Sequence, residues 1–217
     1  MAPSTSRNRL YHHATLAATS FVMTGLVALL GSGDTLLDAI SLATAYICLI
    51  FMAIALCLGP LRVLRSGQLA LNIYLRRDIG IWAGLAGLVH LFVATELSMS
   101  QRYMAVYVNL SSPGLSDALR ADLFSWGSII GFLVGILVLM LLVLSNNRIF
   151  KLIGPTWWKR LQRFAYPAFI LTVLHGFAFQ ALEARNVLLI WIVLAVFIGV
   201  LVLQISGYRT IKKRIPP

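Results

Sequence analysis

Two histidines lie at matching positions in two apolar segments of the chain. His90 follows Arg77 by 13 residues, and His175 follows Arg163 by 12 residues. An ionisable side chain inside an apolar membrane segment is costly, so it usually marks a functional site. We therefore expect the two imidazoles to lie at one depth and to act as a pair, since two such rings can hold one metal centre between two helices.

Haem iron is the metal that this pair favours, because bis-imidazole ligation takes one neutral histidine from each of two facing helices. Gly84 and Gly87 precede His90, and Gly176 directly follows His175, so both helices carry little bulk beside the expected ligands. The alternative is that both histidines are ordinary core residues, satisfied by neighbouring hydroxyl or carbonyl groups.

The composition is that of an integral membrane protein. The 217 residues are 59% apolar and only 12% charged, whereas soluble domains are about 45–50% apolar and roughly 25% charged. The net charge of +11 comes from basic residues at the ends of apolar runs, where membrane topology and anionic lipid headgroups account for them. Nucleic acid is therefore not expected as a partner. Cys48 and Cys57 are interpreted as small apolar core residues.

Six apolar stretches are each close to the roughly 20 residues that cross a bilayer. We therefore predict an all-α integral membrane protein built as a six-helix transmembrane bundle over residues 14–206. A basic leader (1–13), in which His12 and His13 are interpreted as surface residues, precedes it, and a basic tail (207–217) follows. The predicted spans are 14–30, 37–59, 79–98, 124–145, 164–182 and 187–206.

The charge distribution predicts the orientation of this bundle. Of the 18 basic residues, all but Arg102, Arg120 and Arg185 fall in the segments on the side of the two termini. The positive-inside rule then places both termini in the cytoplasm, as a multi-pass protein of a bacterial inner membrane. The two histidines would lie in the outer half of the membrane, about 18 to 20 Å from the cytoplasmic basic residues. The long external connection could carry a short interfacial helix at 101–110.

The segment from Arg76 to His90 carries a further pattern, in which a basic pair, Gly80 and Trp82 precede the histidine. This segment resembles the third helix of the ferric reductase-like transmembrane family. Within that family it is most similar to the haem-binding membrane subunit of methionine sulfoxide reductase systems. The resemblance covers roughly residues 60–210.

A second segment, Trp158 to Tyr166, leads to His175 and resembles the fifth helix of the same family. Relatives have an inner histidine where this chain has Gln162, and two-haem relatives have another where it has Arg76. The resemblance therefore implies at most one haem b, on the outer side of the membrane.

The resemblance also implies which residues bind this cofactor and what the chain does. His90 and His175 would ligate the iron, Trp82 and Gly87 would lie near the haem, and Arg77 would lie near a quinol or flavin site at the cytoplasmic face. The chain would be a redox subunit of an oxidoreductase system, passing electrons to a redox protein at the outer face. Electrons would come from a membrane quinol, or from a flavin near the cytoplasmic face.

A different reading is a cofactor-poor accessory or assembly subunit of a larger membrane complex. It is motivated by the two missing inner ligands and by the long external connection. A small transporter is less favoured, because the sequence shows neither internal repeats nor paired broken helices.

Overall fold

The structure, a computed structural model, describes residues 3–30, 35–65, 73–99, 115–183 and 187–214. These residues form helices without any strand, which confirms the all-α prediction. The predicted interfacial helix at 101–110 lies outside the described residues. The described residues form seven helices: α1 (Pro3–Leu30), α2 (Leu36–Leu64), α3 (Ile73–Met99), α4 (Leu115–Leu144), α5 (Asn147–Gln162), α6 (Ala165–Glu183) and α7 (Val187–Arg214).

Six of these helices are long and apolar enough to cross a membrane, and they coincide with the six predicted stretches. The chain is therefore a multi-pass membrane protein by the length and composition of its helices. Large apolar side chains such as Phe21 (79% exposed) and Phe92 (73% exposed) cover the outside of the bundle, where lipid would contact them. Three helices begin well before the apolar runs suggested. α1 starts at Pro3, inside the predicted leader, α3 starts at Ile73, and α4 starts at Leu115.

Helix α5 was not predicted, because its residues are too polar for a membrane span. The side chain of Asn146 caps its first turn by accepting a hydrogen bond from the Arg148 amide at 2.8 Å. Gly154 interrupts it with a φ of 75°, a left-handed value that glycine adopts without steric cost, and Pro155 follows. None of its residues is buried. The helix therefore adds little to the core.

Contacts between helices mark one end of the bundle. Arg9 of α1 contacts Asp78 at the start of α3, and Pro60 at the end of α2 packs against Gly207 of α7. Gly59 lies beside the Arg76 side chain, so the end of α2 and the start of α3 are neighbours. The end of the bundle marked by these contacts is called the basal end, and the opposite one the far end.

Helix α2 is the centre of the bundle. It packs against α1, α3, α6 and α7, and 61% of its apolar stretch is buried inside the bundle. Thr35 caps its first turn, since its side chain accepts from the Asp38 amide while the Asp38 carboxylate accepts from the Thr35 amide. Phe51 of α2 and Leu189 of α7 are each 1% exposed. This central helix provides one wall of the site described next.

Candidate functional site

The structure brings His90 of α3 and His175 of α6 together. Their ring centroids are 6.0 Å apart and the ring planes meet at 74°. Both rings line a cavity of about 450 Å³ whose walls come from α2, α3, α4, α6 and α7. Two residues that are 85 positions apart in the sequence thus share one site.

Backbone carbonyl groups orient both imidazoles. His90 Nδ1 lies 2.9 Å from the carbonyl oxygen of Ser41, and His175 Nδ1 lies 2.8 Å from the carbonyl oxygen of Gly127. A carbonyl oxygen only accepts, so each Nδ1 carries the hydrogen and donates it. The lone pair of each neutral ring is then on Nε2. Metal-binding histidines in proteins are held in the same way, with the nitrogen opposite the metal donating to a carbonyl or carboxylate.

The spacing of the rings fits a metal with one imidazole on each side. With metal–nitrogen bonds of about 2 Å and ring nitrogens about 1 Å from their centroids, opposed ligands would have centroids about 6 Å apart. Within the described part of the chain, no group of three or more His, Cys, Asp or Glu side chains could hold a metal.

A row of glycines on α4 makes room for this arrangement. Gly127, Gly131 and Gly135 are four residues apart and face α6 and α3. A Cβ atom at Gly131 would lie 2.5 Å from Cε1 of His175, and one at Gly135 would lie 2.9 Å from a methyl carbon of Leu91. Both distances are shorter than real Cβ contacts. The His175 ring therefore occupies the space that a side chain at position 131 would take.

Of the other predicted cofactor residues, Gly87 lines the cavity and the remaining two lie toward the basal end. A Cβ atom at Gly87 would lie 3.0 Å from Cys48 Sγ, so its lack of a side chain lets α2 and α3 approach closely. Arg77 donates to the carbonyl oxygen of Ser145, and at 2.6 Å to the Asn147 side chain, which ties α3 to the turn before α5. Trp82 Nε1 donates to His13 Nδ1 at 3.0 Å.

The interpretation of His12 and His13 as surface residues was wrong. They are partly buried, and with Arg9 they surround the carboxylate of Asp78, which is 0% exposed. Arg9 donates to Asp78 Oδ1 at 2.8 Å, and His12 Nδ1 lies 3.2 Å from Oδ2. Because α1 is already helical at these positions, the three basic residues are on one face of it. Together they fasten α1 to α3 at the basal end.

Sequence reasoning missed the row of glycines on α4 and the two backbone carbonyl acceptors of the cavity wall. The four-residue spacing of the α4 glycines was a usable signal, since small residues at this spacing mark close helix contacts. The two acceptors at Ser41 and Gly127 are backbone atoms, which every residue has, so no residue type could have revealed them.

Comparison of the chain with models of known protein families, with curated proteins and with solved structures finds no match. The resemblance to the ferric reductase-like family therefore stays a prediction that rests on the two segments quoted above.

Proposed function

We propose that this chain is a membrane electron-transfer subunit that binds one haem b between His90 and His175. The observation that carries the proposal is the pair of imidazoles, 6.0 Å apart across a shared cavity, with each Nδ1 held by a backbone carbonyl oxygen. Carbonyl partners would also satisfy ordinary core histidines, so the proposal rests on the two rings lining one cavity at the spacing that opposed ligands need.

Each part of the site has a role in this proposal. The Nε2 atoms of His90 and His175 would ligate the iron, and the Ser41 and Gly127 carbonyls fix the direction of the two rings. The walls around them are mainly apolar, including Leu49 of α2, and would limit the access of water to a bound haem. Haem supplies the one-electron redox chemistry, while the axial ligands, burial and hydrogen bonding set its reduction potential.

The proposed direction of electron flow follows from the charge pattern. The basic residues of the basal end favour the cytoplasmic side by the positive-inside rule. His90 lies about 20 Å along α3 from Arg77, which puts the haem in the outer half of a bacterial inner membrane. Electrons would enter from a quinol or a flavin on the basal side and leave to a redox partner at the outer face.

The test is the optical spectrum of the detergent-purified chain and of two ligand variants. We expect a b-type signal from the wild type and its loss in both His90→Ala and His175→Ala. His12→Ala is the matched control, because it removes a histidine from the basal cluster and leaves the cavity unchanged. Full retention of haem in both ligand variants would contradict the assignment.

The same experiment addresses the accessory-subunit alternative. A wild-type chain that is colourless when purified alone, yet co-purifies in fixed proportion with a larger membrane complex, would support that alternative. It would also remove the basis for an autonomous redox role.

A further inference from the structure

The exposed surface of α5 combines basic and large apolar side chains. No acidic residue lies between Asn147 and Arg163. Leu152 is 81% exposed and Trp157 is 59% exposed. Water solvates charged groups well, but its contact with large apolar side chains costs free energy. The exposed basic residues of this surface are Arg148, Lys151, Lys159, Arg160 and Arg163.

The opposite side of α5 faces the bundle. Ile149, Ile153 and Trp158 are partly buried there. The Phe150 ring packs edge to face against the Trp158 indole, with ring centroids 5.4 Å apart, and so joins the two halves of the helix on either side of Gly154. The inward side is therefore fixed, and the basic side chains are left outside it.

Helix α5 is held at the boundary of the membrane spans. It connects two of them, since α4 ends at Leu144 and α6 begins at Ala165. Trp158 Nε1 donates to the Leu144 carbonyl oxygen at 2.8 Å, which holds the second half of α5 against the end of α4. Arg77 of α3 holds the first half by donating to the Asn147 side chain. Both halves therefore stay at the level where lipid headgroups are expected.

The residue types on this surface are those of a membrane interface. Tryptophan is enriched at headgroup level, because its ring is apolar and its N–H is polar. The guanidinium carbon of Arg160 lies 5.1 Å from the centre of the Trp157 ring, so a charged and an apolar group are adjacent. Helices with lysine and arginine beside tryptophan, phenylalanine and leucine lie in the plane of the interface and are attracted to anionic lipids.

We propose that the exposed surface of α5 binds anionic phospholipids at the basal end. The five basic side chains donate to lipid phosphate groups, and Leu152 and Trp157 insert among the upper parts of the acyl chains. An acidic soluble protein would match the charges, but it would not account for the exposed leucine and tryptophan beside the ends of two membrane spans. This inference goes beyond the proposed function and does not depend on haem.

The test uses the full chain in vesicles of phosphatidylcholine and phosphatidylglycerol, in which one of the two lipids carries a spin label near its headgroup. The label quenches tryptophan fluorescence at short range. The difference between the wild type and Trp157→Phe gives the contribution of Trp157. We expect labelled phosphatidylglycerol to quench Trp157 more than the same amount of labelled phosphatidylcholine. Each basic residue near an anionic surface strengthens the attraction by about five-fold.

Trp191 provides a matched control within the same chain. It is 63% exposed near the start of α7, at the far end of the bundle. Within ten residues of it in the sequence, Arg185 is balanced by Glu183 and no other residue is charged. Its fluorescence, obtained from Trp191→Phe, should be quenched to the same extent by both labelled lipids.

Two triple variants separate α5 from the basic end of the bundle in general. The first replaces Arg148, Lys151 and Lys159 by glutamine and keeps Arg160 beside Trp157. We expect it to lose most of the phosphatidylglycerol preference at Trp157. The second is the control, which removes the same charge from the basal end by replacing three exposed residues of α7 with glutamine. It should retain the preference, and its changes are Arg209→Gln, Lys212→Gln and Lys213→Gln.

Salt provides a second measurement that needs no variant. Raising the salt concentration from about 0.1 M to about 1 M shortens the screening length from about 10 Å to about 3 Å. The preference of wild-type Trp157 for labelled phosphatidylglycerol should then fall, while quenching by labelled phosphatidylcholine should remain.

Three outcomes would overturn the lipid-binding surface. The first is equal quenching of wild-type Trp157 by both labelled lipids. The second is a preference that both triple variants retain or lose to the same extent, because α5 would then have no special part in it. The third is a Trp157 that neither label quenches, because α5 would then face water, as a docking site for an acidic protein would. A chain without haem would refute the proposed function and leave this test unchanged.

Discussion

Gly131→Ala is the substitution whose effect the structure specifies most closely. The new Cβ atom would lie 2.5 Å from Cε1 and 2.7 Å from Nδ1 of His175, whereas ordinary contacts begin at 3.4 Å. The ring must therefore move by roughly 1 Å, and overpacking of this kind typically costs about 1–3 kcal/mol. Nδ1 is the atom that donates to the Gly127 carbonyl at 2.8 Å. The movement therefore disturbs both the orienting hydrogen bond and the spacing to His90.

The expected result is weaker haem binding rather than a general loss of folding. Loss of the groups that orient a metal ligand commonly lowers affinity by about 10–100-fold. The assay is haem per polypeptide after purification, together with the position and width of the Soret band. Gly80→Ala is the neutral control, because a Cβ atom there meets nothing within 4 Å.

Gly135→Ala separates a displaced histidine from crowding in general. It is on the same helix, and its Cβ atom would lie 2.9 Å from a Leu91 methyl carbon, which is the end of a flexible side chain. We expect Gly135→Ala to retain more haem than Gly131→Ala. The reasoning would be refuted by a Gly131→Ala protein whose haem content and spectrum equal those of Gly80→Ala.

Three further substitutions test other parts of the structure. Asp78→Asn should lower the free energy of unfolding by about 1.5–3 kcal/mol, the range for losing a hydrogen bond to a charged group, since the Arg9 charge left behind is partly exposed to solvent. Thermal unfolding measures this, and an unchanged melting temperature would contradict it. Trp82→Phe should leave the Soret band unchanged, because Trp82 donates to His13 and does not line the cavity. An altered band would instead support its predicted position beside the haem. Gly154→Ala should destabilise α5 by about 1 kcal/mol through its φ of 75°, and equal stability of the variant and the wild type would argue against that backbone conformation.

The membrane helices and the histidine pair were accessible from the sequence for physical reasons. A membrane span is a length of apolar chain, so composition alone located the six spans. Depth along such a helix is proportional to residue number, at about 1.5 Å per residue. Counting from the basic residues therefore sufficed to expect His90 and His175 at one level, although it did not give which sides of the helices face each other.

Other features depend on tertiary contacts that no local pattern encodes. α5 has the polar composition of a connection, and it is identified only by its backbone. His12 and His13 were assigned to the surface because they fall in a polar leader, but α1 extends through that leader and turns them toward Asp78. Asp78 was the available signal, since it is the one acid among the basic residues on the side of the termini.

The most direct test of the proposed function is a dithionite-reduced minus oxidised spectrum of the purified wild-type chain, with haem b quantified per polypeptide. A low-spin b-type spectrum with one haem per chain is the expected result, because the described residues provide one imidazole pair across one cavity. A featureless spectrum from a folded chain purified under haem-replete conditions would contradict haem ligation by His90 and His175.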